Sequence, residues 1–307
     1  MTKEIFITGL GIISPQDSLQ KKHINDFVKL DNFRCLEPDY KDFIPPSKAR
    51  RMSRILKISY VAAKVALEEA ALEKPQMINT ATGLGCLKDT TLFLQDIIAS
   101  NETVLKPTPF INSTHNTIAG LLAITYQTKG QNFTFSHTEF NFEHALLDSM
   151  ICMQEDGFSN VLLGGIDELT EETALIKEKL QMPNQGEGAS FFVLSDKPTD
   201  DYYAQILALG FAYELENESE LNQAVMDFLE EEAVAAEEID ILITNQDLSD
   251  VFSPEKQIVY PDFCGDYMTA AAFGMGVAAL EVSYHKAPVL LINSNKKNSY
   301  SFVLLGR

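Results

Sequence analysis

Short apolar runs rich in β-branched residues alternate along this chain with stretches of helical period, and that alternation restricts the possible folds more than any other feature of the sequence. Residues 5–8 run into Gly9-Leu10-Gly11, the pattern of a buried strand that turns sharply at its end. From Ser53 toward Pro75 apolar side chains recur at three- and four-residue steps, which specifies an amphipathic helix. A glycine-bearing strand is expected over 80–86, a helix over about 116–126, an alternating strand over 132–136 and a helix over about 143–153. A strand over 160–163 then closes on Gly164-Gly165. Strands and helices in this order build α/β layers whose sheets are covered by helices.

After an apolar strand at 190–194, the polar, proline-marked segment Asp196-Lys197-Pro198-Thr199-Asp200-Asp201 sets the expected boundary between halves 1–198 and 199–307. The alternation then resumes. A helix is expected over about 218–236, acidic on one side and carrying Leu221, Val225, Phe228 and Leu229 on the other. A strand at 239–244, an apolar helix at about 270–282 and strands at 288–293 and 300–305 complete the pattern.

Charge narrows the partners. Lys and Arg number 24 against 44 Asp and Glu, a net charge of −20, so no broad basic face exists for a phosphate backbone and nucleic acid is not expected as a partner. The first residues lack the basic head and apolar stretch of a secretion signal, so a cytoplasmic protein is expected. Residues 267–280 form the longest uncharged apolar stretch, too short for a membrane span and better suited to a buried helix. Cys35, Cys86, Cys152 and Cys264 show no paired spacing, which signals neither a disulfide framework nor structural zinc. His137, Glu139, Glu143 and His144 lie close in sequence but lack a metal-ligand spacing such as HExxH, and neither a metal nor a cofactor is expected. His115 reads as a helix-start residue, and His23 and His285 as surface histidines.

Several segments, in order, resemble the β-ketoacyl synthases of the thiolase superfamily. They are Ile7-Thr8-Gly9-Leu10-Gly11-Ile12-Ile13-Ser14-Pro15, Ala49-Arg50-Arg51-Met52-Ser53-Arg54, Ser113-Thr114-His115-Asn116, Val161-Leu162-Leu163-Gly164-Gly165-Ile166-Asp167-Glu168 and Gly186-Glu187-Gly188-Ala189-Ser190. The resemblance implies a thiolase-like, five-layered αβαβα fold of two pseudo-duplicated halves, here with the second half shortened. It also implies a dimer.

The family's chemistry transfers poorly. Its nucleophile is a cysteine on a tight strand-to-helix turn, and the matching position is Glu139, followed by the bulky Phe140 and Phe142. Its two histidines donate hydrogen bonds to an enolate, and their positions are held by Asn245 and Asp266. The lysine expected four residues before Gly265 is Pro261, and the glycine-rich "NSFGFGG" ending appears as Asn298-Ser299-Tyr300-Ser301-Phe302-Val303-Leu304. No catalytic residue is therefore expected at Glu139, Asn245, Pro261 or Asp266, and His137, Phe140, Phe142, Tyr300 and Phe302 are expected around any surviving pocket.

The resemblance then points to a non-catalytic subunit similar to a chain length factor. It would pair with an active ketosynthase as a heterodimer in type II polyketide, aryl polyene or fatty acid synthesis. An acyltransferase or malonyl decarboxylase with unorthodox residues, and a homodimeric scaffold that binds acyl carrier protein, stand as alternatives. Arg50, Arg51 and Arg54 are three of only five arginines. They read either as a solvated helix end or as a docking patch for an acidic acyl carrier protein.

Overall fold

The computed structural model describes residues 3–19, 26–101, 105–179, 185–252, 254–295 and 297–307; His23 lies outside them. In the first half β1 (Ile5–Ile13) is followed by α1 (Pro46–Ala49), α2 (Arg54–Glu69), β2 (Met77–Ala81), α3 (Leu87–Ala99), α4 (Pro107–Asn112) and α5 (Thr117–Tyr126). Next come β3 (Asn132–Phe135), α6 (Asn141–Glu155), β4 (Asn160–Asp167), α7 (Glu171–Lys179) and β5 (Gly188–Ser195). The second half contains β6 (Ala204–Ala212), α8 (Glu218–Glu231), β7 (Ile241–Thr244), β8 (Lys256–Val259), α9 (Pro261–Cys264), α10 (Ala270–His285), β9 (Val289–Ser294) and β10 (Tyr300–Gly306).

The strands form one 10-stranded sheet in the order β3-β2-β4-β5-β1-β6-β10-β9-β7-β8. Numbered within its own half, each set of strands runs 3-2-4-5-1 from the edge to the centre, so the second half mirrors the first. The directions match as well: β3, β2 and β4 are mutually parallel, as are β8, β7 and β9, and the remaining pairs are antiparallel. The halves meet at a short antiparallel pairing of Ile5–Ile7 with residues 204–206.

Side chains on successive strand residues point to opposite faces, and here they sort into three cores. Val161 and Leu163 face a central core and Leu162 an outer one; Leu291 and Leu290 divide in the same way on β9. The central core is filled by α6 and α10, one outer core lies under α2 and α5, and the other under α8. The layers therefore run helix, sheet, helix, sheet, helix. Twelve of the residues of α10 are buried, most of them Ala and Gly, which lets a helix fit between two sheet surfaces. On β1, Gly9 and Gly11 allow α2 to approach closely: a Cβ on either would lie 2.0 Å from the carbonyl oxygen of Ala66 or Ala62.

The second half is smaller because its connections are. The β2–β3 connection carries α3, α4 and α5, whereas 245–255 between β7 and β8 carries no helix among its described residues. The strand expected at 80–86 is Met77–Ala81, because Gly83 and Gly85 belong to the turn after it and Gly85 has φ +58°. Strands β6 and β8 and helices α3, α4 and α7 are not evident in the sequence. In α3 the only buried side chain is Asp89, so no apolar stripe marks it. The four cysteines are buried and unbridged.

Candidate functional site

The turn from β3 into α6 is tight, and its geometry falls on a residue that does not favour it. Phe140 has φ 53° and ψ 36°, the left-handed region, which costs a non-glycine residue about 1 kcal/mol or more. Its surroundings hold it there. The His144 amide donates to the Phe140 carbonyl at 2.9 Å, the His137 amide donates to Asn141 Oδ1, and the Phe140 ring lies 5.8 Å from that of Phe211 on β6. Ser136 Oγ anchors the start of the turn on the Gly83 carbonyl at 3.0 Å.

Glu139 sits at the bend with its side chain 27% exposed. Asn295 Nδ2 donates to its Oε2 at 2.8 Å, and Lys297 Nζ is 3.6 Å from Oε1. The residues at the end of β9 extend this contact into a row. Ser294 donates to Asn245 Oδ1 from its amide at 2.9 Å and its hydroxyl at 3.0 Å, while Asn245 Nδ2 donates to the Ser294 carbonyl at 2.8 Å. Asn293 Nδ2 donates to Glu143 Oε1 at 3.1 Å and its Oδ1 accepts from the Tyr260 hydroxyl at 2.8 Å. Ser301 Oγ on β10 donates to the same Glu143 oxygen at 3.1 Å. Burial raises Glu143 to about 6 despite those hydrogen bonds, which act in the opposite direction.

The structure thus brings Glu139 and Asn245 together, through Asn295 just past the end of β9 and Ser294, its last residue. Pro261 and Asp266 lie beyond Tyr260 at the two ends of α9, outside the hydrogen bonds just described. Pro261 opens α9, and Asp266 is exposed, its carbonyl accepting from the Gly186 amide at 3.1 Å. Glu139 is committed to an amide and an ammonium, and Asn245 to the backbone and hydroxyl of Ser294. This arrangement fastens the two halves together.

Aromatic side chains fill the space around the bend. The exposed His137 ring meets His144 edge-on at 5.2 Å, and His144 stacks on Phe211 at 5.5 Å. Burial, with His137 nearby, lowers the His144 pKa. Phe142 lies 5.7 Å from Phe192 in the central core and is fully buried. Tyr300 and Phe302 are not at the bend: they occupy the opposite face of β10, in the outer core with Phe228, and Ser301 takes the inward position. The period of two along β10 accounts for this difference.

A cavity of about 430 Å³ lies at the N-terminal ends of β2, β3 and β4, lined by Lys74, Gln76, Lys129, Asp156 and Phe158, and a second of about 10 Å³ lies near Phe27 and Tyr203. Glu139 lines neither; it sits at the C-terminal end of β3. Among the described residues no group of three or more His, Cys, Asp or Glu is placed to hold a metal ion.

The arginine cluster separates in space. Arg54 donates from Nη1 and Nη2 to Glu187 at 2.5 and 2.6 Å and from Nε to Glu37 at 2.6 Å. Glu187 is fully buried and also accepts from the amides of Cys35 and Leu169. Arg54 is therefore committed to two carboxylates, whereas Arg50 and Arg51 are exposed beside Lys48. Nothing local in the sequence gives Asn293, Ser294, Asn295 or Phe211 a role, and Glu143 stands out there only as a neighbour of His144 and Ser301 only as part of the altered ending. The polar triplet Asn293-Ser294-Asn295 ending an apolar strand was the available signal.

Residues 35–174 match the family described as Beta-ketoacyl synthase, N-terminal domain. No curated protein sequence matches the chain. Among solved structures, a chain of the ishigamide ketosynthase/chain length factor superposes with a TM-score of 0.83 at 15% identity, covering 98% of this chain and 99% of that one. A chain of the AntDE:AntF assembly, a type II PKS acyl-carrier protein in complex with its ketosynthase, gives 0.82 at 14%, covering 99% of each. The ketosynthase ApeO in complex with its chain length factor ApeC, from Xenorhabdus doucetiae, gives 0.75 at 11%, covering 99% of this chain and 98% of that one. The fold is thiolase-like, the fold of the ketosynthases.

Proposed function

From a ketosynthase fold whose residues 35–174 match the β-ketoacyl synthase N-terminal domain, we propose that this chain is a non-catalytic subunit that pairs with a cysteine-bearing ketosynthase and an acyl carrier protein. The observation that carries the proposal is the state of the bend. The residue that the resemblance sets in the nucleophile's place is a carboxylate tied to Asn295 and Lys297, with the rings of Phe140 and Phe211 packed together at the bend and Phe142 buried behind it. A carboxylate attacking a thioester would give a mixed anhydride, a poor store for an acyl group.

Two surfaces support association. Ile124 on α5 is 81% exposed and Phe133 on the edge strand β3 is 47% exposed, with Phe110 and Ile111 of α4 also open. Such apolar exposure on an unpaired strand edge suits burial against another protein. Arg50, Arg51 and Lys48 supply local positive charge on an acidic molecule, suited to an acidic carrier.

The deciding experiment measures mass in solution for the chain alone and mixed with a ketosynthase encoded beside it, and assays carbon dioxide release from malonyl carrier protein. A one-to-one complex with no release by the chain alone is expected. Self-association unaffected by the synthase would favour a homodimeric scaffold. Release lost in Glu139→Ala would make the chain an enzyme.

A further inference from the structure

One buried ionisable group has no place in that reading. Glu143, in the first turn of α6, is 3% exposed, and the partners of its carboxylate are neutral. Besides its own amide, the two side-chain donors come from the second half, Asn293 from β9 and Ser301 from β10, and Asn293 is oriented in turn by the Tyr260 hydroxyl. The carboxylate therefore lies on the seam where a first-half helix meets the second-half sheet.

We propose that Glu143 is a proton-operated fastener between the halves: protonated, it joins α6 to β9 and β10 as a neutral hydrogen-bonded group, and ionised, it places an uncompensated charge in the seam.

The geometry assigns the role to this group. Oε1 accepts both seam hydrogen bonds, so a proton on Oε2 leaves them intact while removing the charge. Among the described residues no lysine or arginine is bonded to the carboxylate to hold it ionised, and burial without a bonded cation favours the neutral form. The other titratable groups around α6 are accounted for. On the approach to α6 they are Glu139, committed to Asn295 and Lys297, and His137, edge-on to His144; on α6 itself they are His144, whose pKa is lowered by burial, and, in later turns, Asp148, which accepts from Asn79, Cys152, pushed up to about 12 by burial, and Glu155 at the C-terminal end. From β4 there is Asp167, which accepts from Thr82, Gly83 and Thr269. From the end of β8 and α9 there are Tyr260 and Cys264, both pushed well above their usual ranges by burial, with the exposed Asp266 next to α9. The titratable groups of α10, Glu281, Tyr284 and His285, lie in its last turns, where Glu281 pairs with Lys256 and His285.

The raised pKa of Glu143, about 6 against an ordinary 4.5, sets the sign. A group that binds its proton more tightly folded than unfolded contributes stability below about pH 4.5 and loses that contribution as pH rises through about 6. The folded-to-unfolded ratio attributable to this group falls about thirtyfold in all, from well below about pH 4.5 to well above about pH 6.

The test is hydrogen exchange at the amides of residues 141–147 in the full chain, corrected for intrinsic rates, at about pH 5 and pH 8. The corrected protection is expected to fall with pH in the natural chain and to stay flat in Glu143→Gln. An equal fall in both overturns the proposal. If the Gln variant does not fold, the infrared carboxyl band of ¹³C-glutamate-labelled Glu168→Gln decides. A protonated component with a midpoint near 6, distinct from the ordinary glutamates that titrate below about 5, is expected, and a band that titrates wholly below about 5 overturns the proposal.

Discussion

Glu187 accepts four hydrogen bonds with no exposed surface, and two of them come from one guanidinium. Removing one member of such a pair strands the other charge in a medium that solvates it poorly, which costs about 3–5 kcal/mol. Arg54→Ala should therefore lower the unfolding free energy by about that amount in urea titrations. Arg50→Ala and Arg51→Ala should each stay within about 0.5 kcal/mol, as exposed substitutions do. Glu187→Gln combined with Arg54→Ala should lose less than the sum of the two, because the pair acts as a unit. The sequence displays the arginines as a cluster, since adjacency along the chain is what a sequence contains. The partner of Arg54 lies 133 positions away, and nothing local announces it. The same limit hid Asn293 and Asn295, whose partners Glu143 and Glu139 are equally remote.

Elements were legible where burial is one-sided or complete. Helices α2 and α10 and strands β4, β5, β9 and β10 follow from apolar spacing, because each faces a core that accepts only apolar groups. Helix α3 was not, because its apolar side chains Leu92, Leu94 and Ile98 face outward. The short edge strand β8 begins with Lys256 and Gln257 and carries too little pattern. The close contact of β1 with α2 predicts that Gly11→Ala, which would place a methyl group 2.0 Å from the Ala62 carbonyl, displaces the helix and destabilises the fold by about 3 kcal/mol or more. Thermal unfolding would reveal this as a large drop in midpoint. At the end of β9, Asn245→Ala removes three hydrogen bonds to Ser294 and should cost about 2 kcal/mol. Faster amide exchange should appear at residues 293–295 and spread to the bend at 136–140, which the neighbouring Asn295 holds.

At the scale of the whole molecule, buried carboxyls and net charge act in the same direction. Burial raises Glu143 to about 6 and Glu168 to about 7, the latter with Arg54 opposing and Glu187 and Asp89 adding to the shift. Both groups hold protons more tightly in the folded state, so their contributions, of order 2–3 kcal/mol each, are present in acid and lost as pH rises through 6 to 7. With −20 charges repelling one another above that range, the unfolding midpoint should be several degrees higher near pH 5.5 than at pH 8, and added salt should recover part of the loss. A midpoint that rises with pH would contradict this assignment. The mirrored strand order has a different consequence. The main chain crosses from one five-stranded set to the other once, between Ser195 and Ala204. Cutting there leaves every strand but β1 and β6 with all its neighbours in its own half and divides only their short pairing and the central layer, with α6 on one piece and α10 on the other. Fragments 1–198 and 199–307 should each expose one wall of that layer, fail to unfold cooperatively alone, and reassemble into the native sheet when expressed together. The link between the halves would then be dispensable as a covalent bond, and the protein would behave as two complementary pieces whose joining is governed by shape.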